Sequence, residues 1–489
     1  MAPSRSPLDR PSIVAAMTGL LGPAAVETDE DSLKSASVDR FRKFTAVHGI
    51  YDGPIPAAVV YPATTAQVAA VLAFAQDNLV NVVPRTGRTA TEGGLETVVE
   101  NSVVLDGSRM NAIVSISPAD MLATAQCGTG LQQLEEALRA QGLTTGHSPQ
   151  SQPLAQMGGL VATRSIGQFS TLYGGIEDLV VGLEAVFPGG KVARIKNVPR
   201  RAAGPDIRHI AIGSEGALCF ITEVTVKVFR YQPENSQYFG FLVDGFAAGI
   251  EALRELITAG YRPSVCRVYS PADARQHFAD LPAGQNLVVL VADGPKPIAD
   301  ATAGAIEALF AGRPHQRVDA DRIRRWFASL NWGQDKIDAE KAAMLQNAHL
   351  GYTTEVSAGW SRVSELFEAV MSRIRREFPR AADLTMLGAH SSHSYQSGTN
   401  LYFVYDYTVN CTPREEIELY HKPLNAIIVE EALRLGGSMV HHHGIGKYRT
   451  PWVEQEHGSA YWLLTTLKQA FDPQGVMNAG TIFPLPQER

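Results

Sequence analysis

Three consecutive histidines, His441-His442-His443, stand in the run SMVHHHGIGKYR. Imidazole takes up and returns protons near neutral pH, so this loop is the first candidate for acid–base chemistry. Zinc binding is the competing reading. Adjacent histidines rarely aim at one ion, and the sequence offers no supporting carboxylate or cysteine pair nearby, so no metal is expected. The plainer reading, imidazoles that only cap or pack, stays open here.

The second candidate is the loop Pro84-Arg85-Thr86-Gly87-Arg88-Thr89-Ala90. It follows a β run and combines successive backbone amides with two hydroxyls and two guanidinium groups, which suits a pyrophosphate; an ordinary polar turn has a similar composition. Small residues gather again at Gly158-Gly159, Ala162-Thr163-Arg164-Ser165 and Gly174-Gly175, where a planar ligand can approach the backbone closely. A third segment, Gly213-Ser214-Glu215-Gly216-Ala217-Leu218, precedes another β run and would wrap the remaining side of such a ligand. Three loops converging on one extended cofactor differ from the single G-x-G-x-x-G fingerprint and disfavour a Rossmann NAD domain.

These loops need elements to hold them. The run AAVVYPATTAQVAAVLAFAQDNLVNVVP reads as strand, helix and strand, with Thr64 or Thr65 as the N-cap. NSVVLDGSRMNAIVSISPADMLATAQCGTGLQQLEEALRAQGL supplies three short strands and an amphipathic helix around Leu131 to Leu138. Strands return between Leu179 and Arg230, with Gly189-Gly190 as a turn signal. After about residue 231 the pattern becomes strands each followed by a long helix, and HLGYTTEVSAGW and NLYFVYDYTV complete a sheet covered by helices on one face. The chain of 489 residues exceeds the size at which a single core keeps growing. We expect an N-terminal lead over 1–50, a cofactor domain over 51–230, a substrate domain over 231–435, and a C-terminal His loop and helix over 436–489 that closes the site.

A net charge of −7 with 19% charged residues leaves a mildly acidic surface, which argues against nucleic acid as a partner. The four cysteines lie far apart and read as buried small hydrophobes of a reducing, cytoplasmic compartment. The apolar stretch IVAAMTGLLG lacks the basic start and cleavage site of a signal peptide, and no run reaches the length of a membrane span. A peripheral membrane contact and a homodimer stay open.

The ordered motifs PRTGRTA, GHSPQSQPLAQMGGLVATRS, YGGIEDLVVGLEAVFPGGKV, GPDIRHIAIGSEGALCFITEVTVKV and SMVHHHGIGKYR closely resemble the alkylglycerone-phosphate synthase branch of the vanillyl-alcohol-oxidase, or PCMH-type, FAD-binding superfamily. The resemblance spans about residues 55 to 485; the loops belong to the whole superfamily, whereas YGxIEDLV, GPDIxH and HHHGxGKxR are specific to the branch. It implies an α+β fold: a two-subdomain PCMH-type FAD-binding domain, a substrate or cap domain built on an antiparallel sheet, and a C-terminal segment returning to the FAD domain. FAD would be held noncovalently, because the first loop lacks the His or Cys that anchors the flavin in some relatives.

Carried over position by position, the cofactor contacts are Pro84, Arg85, Thr86, Gly87, Arg88, Thr89 and Ala90 in the first loop; Gln150, Gln156, Met157, Gly158 and Gly159 in the second; Thr163, Arg164, Ser165 and Ile166 after it; and Glu215, Gly216 and Ile221 in the last. His441, His442, His443 and Tyr402 would be catalytic, Tyr402 matching the family tyrosine that projects toward the flavin. Arg267 matches an arginine holding the anionic end of the substrate, and a charge inside a β run needs a partner. His147, Thr353 and Lys341 complete the substrate set, Thr353 replacing a family Ser and Lys341 standing near an essential family Arg.

The resemblance implies exchange of the acyl group of an acylated dihydroxyacetone phosphate for a long-chain alcohol through the flavin N5, without net redox change. Three departures weigh against a phosphorylated, lipid-like substrate: Gln156-Met157 before the double glycine where the branch has Thr-Val, Arg85 and Arg88 in the first loop, and Lys341. Trp326, Phe327, Leu330 and Trp332 suit a smaller pocket than a fatty chain needs. The alternative is an FAD-linked oxidase or dehydrogenase of a hydroxy acid, alcohol or specialised metabolite. A flavin-fold protein that binds ligand without catalysis is a third reading.

Overall fold

The computed structural model describes residues 6–485. Strands β1 (Ala58–Val60), β2 (Val82–Arg85) and β3 (Val103–Asp106) pair in parallel, and helix α1 (Thr65–Asp77) crosses between the first two. Thr64 caps that helix by accepting the amide of Gln67. The strands carry unbroken apolar runs because both faces are covered, as parallel sheets require. α1 presses Val68, Val71, Leu72 and Ala75 onto Val60, Val82, Val103 and Leu105 in one core.

A second, antiparallel sheet of five strands contains β4 (Leu122–Gln126), β5 (Val180–Phe187) and β6 (Phe220–Lys227), in the order Ile113–Ser117, β4, β6, β5, Lys191–Ile195. Gly190 makes the turn after β5; its φ is 74°, and a Cβ there would stand 2.6 Å from the carbonyl of Ala69. The loop Pro84 to Ala90 continues from the end of β2, and the segment Gly213 to Leu218 leads into β6.

The third sheet has eight strands, including β7 (Gln237–Val243), β8 (Val265–Tyr269), β9 (Asn286–Ala292), β10 (His349–Gly359), β11 (Leu384–Ser391) and β12 (Gly398–Thr408). Its central order is β7, β9, β8, β11, β12, β10, all antiparallel. Long helices Phe246–Thr258, Lys296–Ala311, Val363–Glu377 and His421–Arg434 cover one face with the largest core. The opposite face turns toward the loops of the first two sheets.

Two segments tie the parts together. The N-terminal lead is folded, with helices Arg10–Leu21 and Glu30–Ala36, and its residues 35–51 reach the space between the sheets. At the other end Val82 bridges Met477 in parallel: the Val82 amide donates to the Val476 carbonyl (2.7 Å) and the Asn478 amide to the Val82 carbonyl (2.8 Å). The tail thereby extends the first sheet. Among the described residues no helix is long and apolar enough to cross a membrane.

Candidate active site

Side chains alternate along a strand, so register decides which residues share a face. Here Tyr269 pairs with His390, His390 with Tyr402, and Tyr402 with Glu355, laying four polar side chains in one row across β8, β11, β12 and β10. Arg267 stands two residues before Tyr269 on the same face, and Thr353 two before Glu355.

Glu355 is the anchor of the histidine loop. Its fully buried carboxylate accepts the backbone amides of His441, His442 (3.1 Å) and His443 (2.7 Å) in succession. Arg449, itself without exposure, donates to Glu355 Oε1 (3.3 Å) and to Glu92 Oε1 (2.9 Å), joining two buried carboxylates. Burial alone would raise the Glu92 carboxyl, but Arg449, His421 and His443 overcome it and hold the group below its usual range.

The three histidines are therefore not equivalent. His442 and His443 line the cavity, whereas His441 turns aside to bond the Tyr395 hydroxyl (2.6 Å) and His442 Nδ1 (2.8 Å). Burial lowers His441 to about 4 and pushes His442 well below the ordinary imidazole value. Tyr402 receives a hydrogen bond from Thr353 Oγ1 (3.0 Å) and lies 3.2 Å from His443 Nε2. Because Thr353 donates, the phenol's own proton points to His443. Burial raises the phenol to about 12, and its ring stacks between His390 and His442 at 4.8 and 5.6 Å.

Arg267 is 3% exposed and lines the cavity. It donates to the Tyr269 hydroxyl and, at 3.5 Å, to Gln168 Oε1, while its Nε has no partner. Among the described residues no carboxylate pairs with it. His390 faces the same space, with Nδ1 2.6 Å from the buried Asp273 carboxylate. Thr353 also lines the cavity, and Lys341 is exposed at its rim. His147 stands behind the wall, 3.3 Å from the Ser165 hydroxyl, with its ring lowered to about 3 by burial.

On the cofactor side, the amides of Gly87, Arg88, Thr89 and Ala90 have no acceptor among the described residues, and Arg88 adopts φ 57°. That is the concave amide nest a pyrophosphate fits. A Cβ at Gly87 would lie 2.7 Å from the Leu154 carbonyl, so the nest packs directly on the second loop, where Gln156 Oε1 is buried without a partner. Arg85 spends its charge on Asp106 (2.7 Å), and Arg88 lies 3.5 Å from the same carboxylate, so the first loop is less cationic than its sequence. Thr163, Ser165, Ile166, Gly216 and Ile221 line the same cavity; Met157 instead joins a hydrophobic core and Arg164 pairs with Glu177 (3.1 Å). Glu215 reaches across to accept the amides of Ile445 (2.7 Å) and Gly446 (2.8 Å), linking the cofactor loop to the histidine loop; burial raises it to about 7.

Nest and sheet face bound one continuous cavity of about 1230 Å³, roomy enough for an extended cofactor and a substrate together. An FAD binding domain profile matches residues 56–196, and the profile of the C-terminal domain of FAD linked oxidases matches residues 232–482. The chain belongs to the FAD-linked oxidase family. It is an FAD-dependent flavoenzyme, with the PCMH-type fold expected from the motifs. This FAD-linked oxidase is 60% identical over 480 residues to the uncharacterized FAD-linked oxidoreductase YgcU of Escherichia coli O157:H7, covering 98% of this chain and 99% of that one. It is 26% identical to alkyldihydroxyacetonephosphate synthase of Dictyostelium discoideum over 88% of this chain and 74% of that one. A solved alkyldihydroxyacetonephosphate synthase superposes with a TM-score of 0.78 at 23% identity, covering 97% of this chain and 85% of that one.

Sequence reasoning missed Glu355, Glu92, Arg449, Asp273, His390 and Lys43. The first was detectable: Glu355 is an acid inside a β run, the signal that singled out Arg267. It also corrects the expectation that no carboxylate supports the histidine loop, since ligand-type atoms of Glu355, His441 and His442 lie within 4.8 Å of one another. Both Glu355 oxygens are already engaged by amides of the loop. Lys43 comes from the lead, lines the cavity, and bonds Glu340 and the Gly351 carbonyl, each at 2.6 Å.

Proposed function

We propose that this FAD-linked oxidoreductase oxidises the hydroxyl-bearing carbon of a small carboxylate, a 2-hydroxy acid or close analogue. The observation that carries the reading is Arg267, a buried cation without an anionic partner among the described residues, on the same sheet face as Tyr402 and His390. An unpaired buried charge is costly, and a carboxylate docked on the guanidinium would satisfy it in bidentate fashion. The FAD supplies a two-electron acceptor when bound. The chain's residues do the rest: Arg267 and Tyr269 hold the carboxylate, Tyr402, backed by Thr353 and His443, hydrogen-bonds the reacting oxygen, and an imidazole takes up the hydroxyl proton. His277, Asp273, Gln276 and Gln168 make this end of the cavity polar, which supports a short substrate. The unpaired cysteines support a cytoplasmic location.

Anaerobic mixing of the purified flavoenzyme with short 2-hydroxycarboxylates tests the reading. We expect stoichiometric bleaching of the flavin absorbance by at least one of them. A panel from glycolate upward that leaves the oxidised spectrum intact would overturn it.

A second reading, the acyl-for-alkoxy exchange of the synthase branch on a phosphorylated, lipid-like substrate, is supported by the grouping of Arg267, Thr353, Tyr402 and His443 in one site. It predicts turnover with no electron acceptor consumed. Lys341 at the rim and Lys43 already paired with Glu340 weigh against it, because neither presents a free, buried phosphate clamp.

A further inference from the structure

We infer that His390, held by Asp273, is the residue that takes the proton from the substrate hydroxyl, an inference resting on the oxidative reading above. Five histidines line the cavity: His277, His390, His393, His442 and His443. The acceptor must present a free lone pair and sit where a positive ring is stabilised.

Four of the five fail one requirement. His443 Nε2 is occupied by the Tyr402 hydroxyl, and its Nδ1 lies 3.6 and 3.7 Å from carboxylates that already serve Arg449. His442 Nδ1 is engaged with His441, and burial together with His443, His441 and His393 disfavours its charged form. His393 bonds Ser170 (2.8 Å) and is disfavoured likewise, by burial first and then by His441 and Arg267. His277 stands 3.7 Å from Asp273 and is lowered to about 4 by burial. Tyr402, raised to about 12, is a donor rather than a base.

His390 alone has a ring nitrogen at hydrogen-bond distance from a carboxylate, Nδ1 to Asp273 Oδ2 at 2.6 Å. The carboxylate is 2% exposed as a side chain, and it fixes the proton on Nδ1. Nε2 is then the lone pair left for the cavity, with no hydrogen-bond partner among the described residues. The pair is purpose-built by close packing. A Cβ at Gly388 would stand 2.9 Å from the Asp273 backbone nitrogen and Cβ, and the Ala389 amide is held by the Ser270 hydroxyl (2.9 Å). The groups facing His390 are Asp273 and His277 from the helix Pro271–His277, Arg267 and Tyr269 from β8, Tyr402 from β12, and His393 beyond the end of β11.

In the step, the hydroxyl O–H bond breaks and its proton goes to His390 Nε2. The C–H bond breaks and a C=O bond forms; FAD, when bound, would supply the acceptor for that hydrogen and its two electrons, and Asp273 offsets the new positive charge on His390. Asp273 is a positioning residue, because it acts through His390.

The experiment compares FAD-loaded wild type with His390→Gln, Asp273→Asn and Asp273→Glu by anaerobic stopped-flow across pH, using whichever 2-hydroxycarboxylate bleaches the wild type. Oxalate serves as a non-reacting probe of anion binding. We expect wild-type bleaching to speed up with pH, and His390→Gln to bleach about 10²- to 10⁴-fold more slowly, to lose that rise, and to bind oxalate within a few-fold of wild type. Asp273→Asn should slow bleaching and displace that rise, and Asp273→Glu should restore part of the rate. A His390→Gln enzyme that bleaches within a few-fold of wild type and keeps the rise would overturn the assignment while leaving the oxidative reading intact. Wild type that no hydroxycarboxylate bleaches would bring down both. Should His390→Gln fail to retain flavin, a far-downfield imidazole N–H resonance in the wild-type holoenzyme, lost in Asp273→Asn, reads the dyad directly, and its absence from wild type counts against it.

Discussion

A guanidinium that is 3% exposed and, among the described residues, has no carboxylate paired with it costs free energy in the free enzyme. Arg267 therefore separates stability from function. We predict that Arg267→Met leaves the melting temperature unchanged or higher, while the half-saturating concentration of a carboxylate substrate rises about 10- to 100-fold, the loss of one or two charge-assisted hydrogen bonds. Thermal unfolding and steady-state kinetics on one preparation check both halves; a lowered melting temperature would mean that Arg267 is already paired in a way the hydrogen-bond pattern does not reveal. Tyr402 makes the complementary case. Its hydroxyl joins Thr353 to His443, so Tyr402→Phe should slow flavin reduction while sparing oxalate binding, which depends on Arg267.

At the scale of elements, the histidine loop is held by its backbone rather than its rings. Arg449 bridges Glu92 and Glu355 with no exposure, and Glu355 in turn gathers three successive amides. Arg449→Met leaves two buried carboxylates facing each other, and we predict a loss of about 3–5 kcal/mol in denaturant unfolding, with activity falling before the fold is lost. The sequence made some of this legible. β1, α1 and β2 could be read because the cap at Thr64 and the apolar runs are local signals, and the turn over Pro84 to Ala90 because its residues are neighbours in sequence. The row Tyr269, His390, Tyr402 and Glu355 could not be read, because it depends on the register of strands brought together from distant parts of the chain. The same limit explains why His441 and His442, adjacent in the motif, face different surroundings, and why the lead contributes Lys43 to the cavity wall.

Across the whole molecule, two sets of buried groups pull stability in opposite directions with pH. His147, His277, His393, His421, His441 and His442 are all lowered, first by burial, so between about pH 4 and 6.5 the unfolded chain binds more protons and stability rises with pH. Asp39, Glu215 and Glu416 are raised by burial to about 8, 7 and 7, so they keep protons in the folded state that the unfolded state gives up; their contribution is lost as pH rises through those values. We expect the melting temperature to peak near pH 6.5, and Asp39→Asn to raise it at pH 8 but hardly at pH 5. A scan that climbs steadily from pH 5 to 8 in wild type would contradict this. The tail adds a constraint of another kind. Val476 and Asn478 bond Val82 in the sheet that carries the Gly87–Ala90 amide loop, and the Asn478 side chain reaches the carbonyls of Gly94 and Glu215. The sheet beneath the amide loop is therefore completed only by a contact between distant parts of the chain, so the order of folding rather than the order of sequence decides when the loop is set for its cofactor.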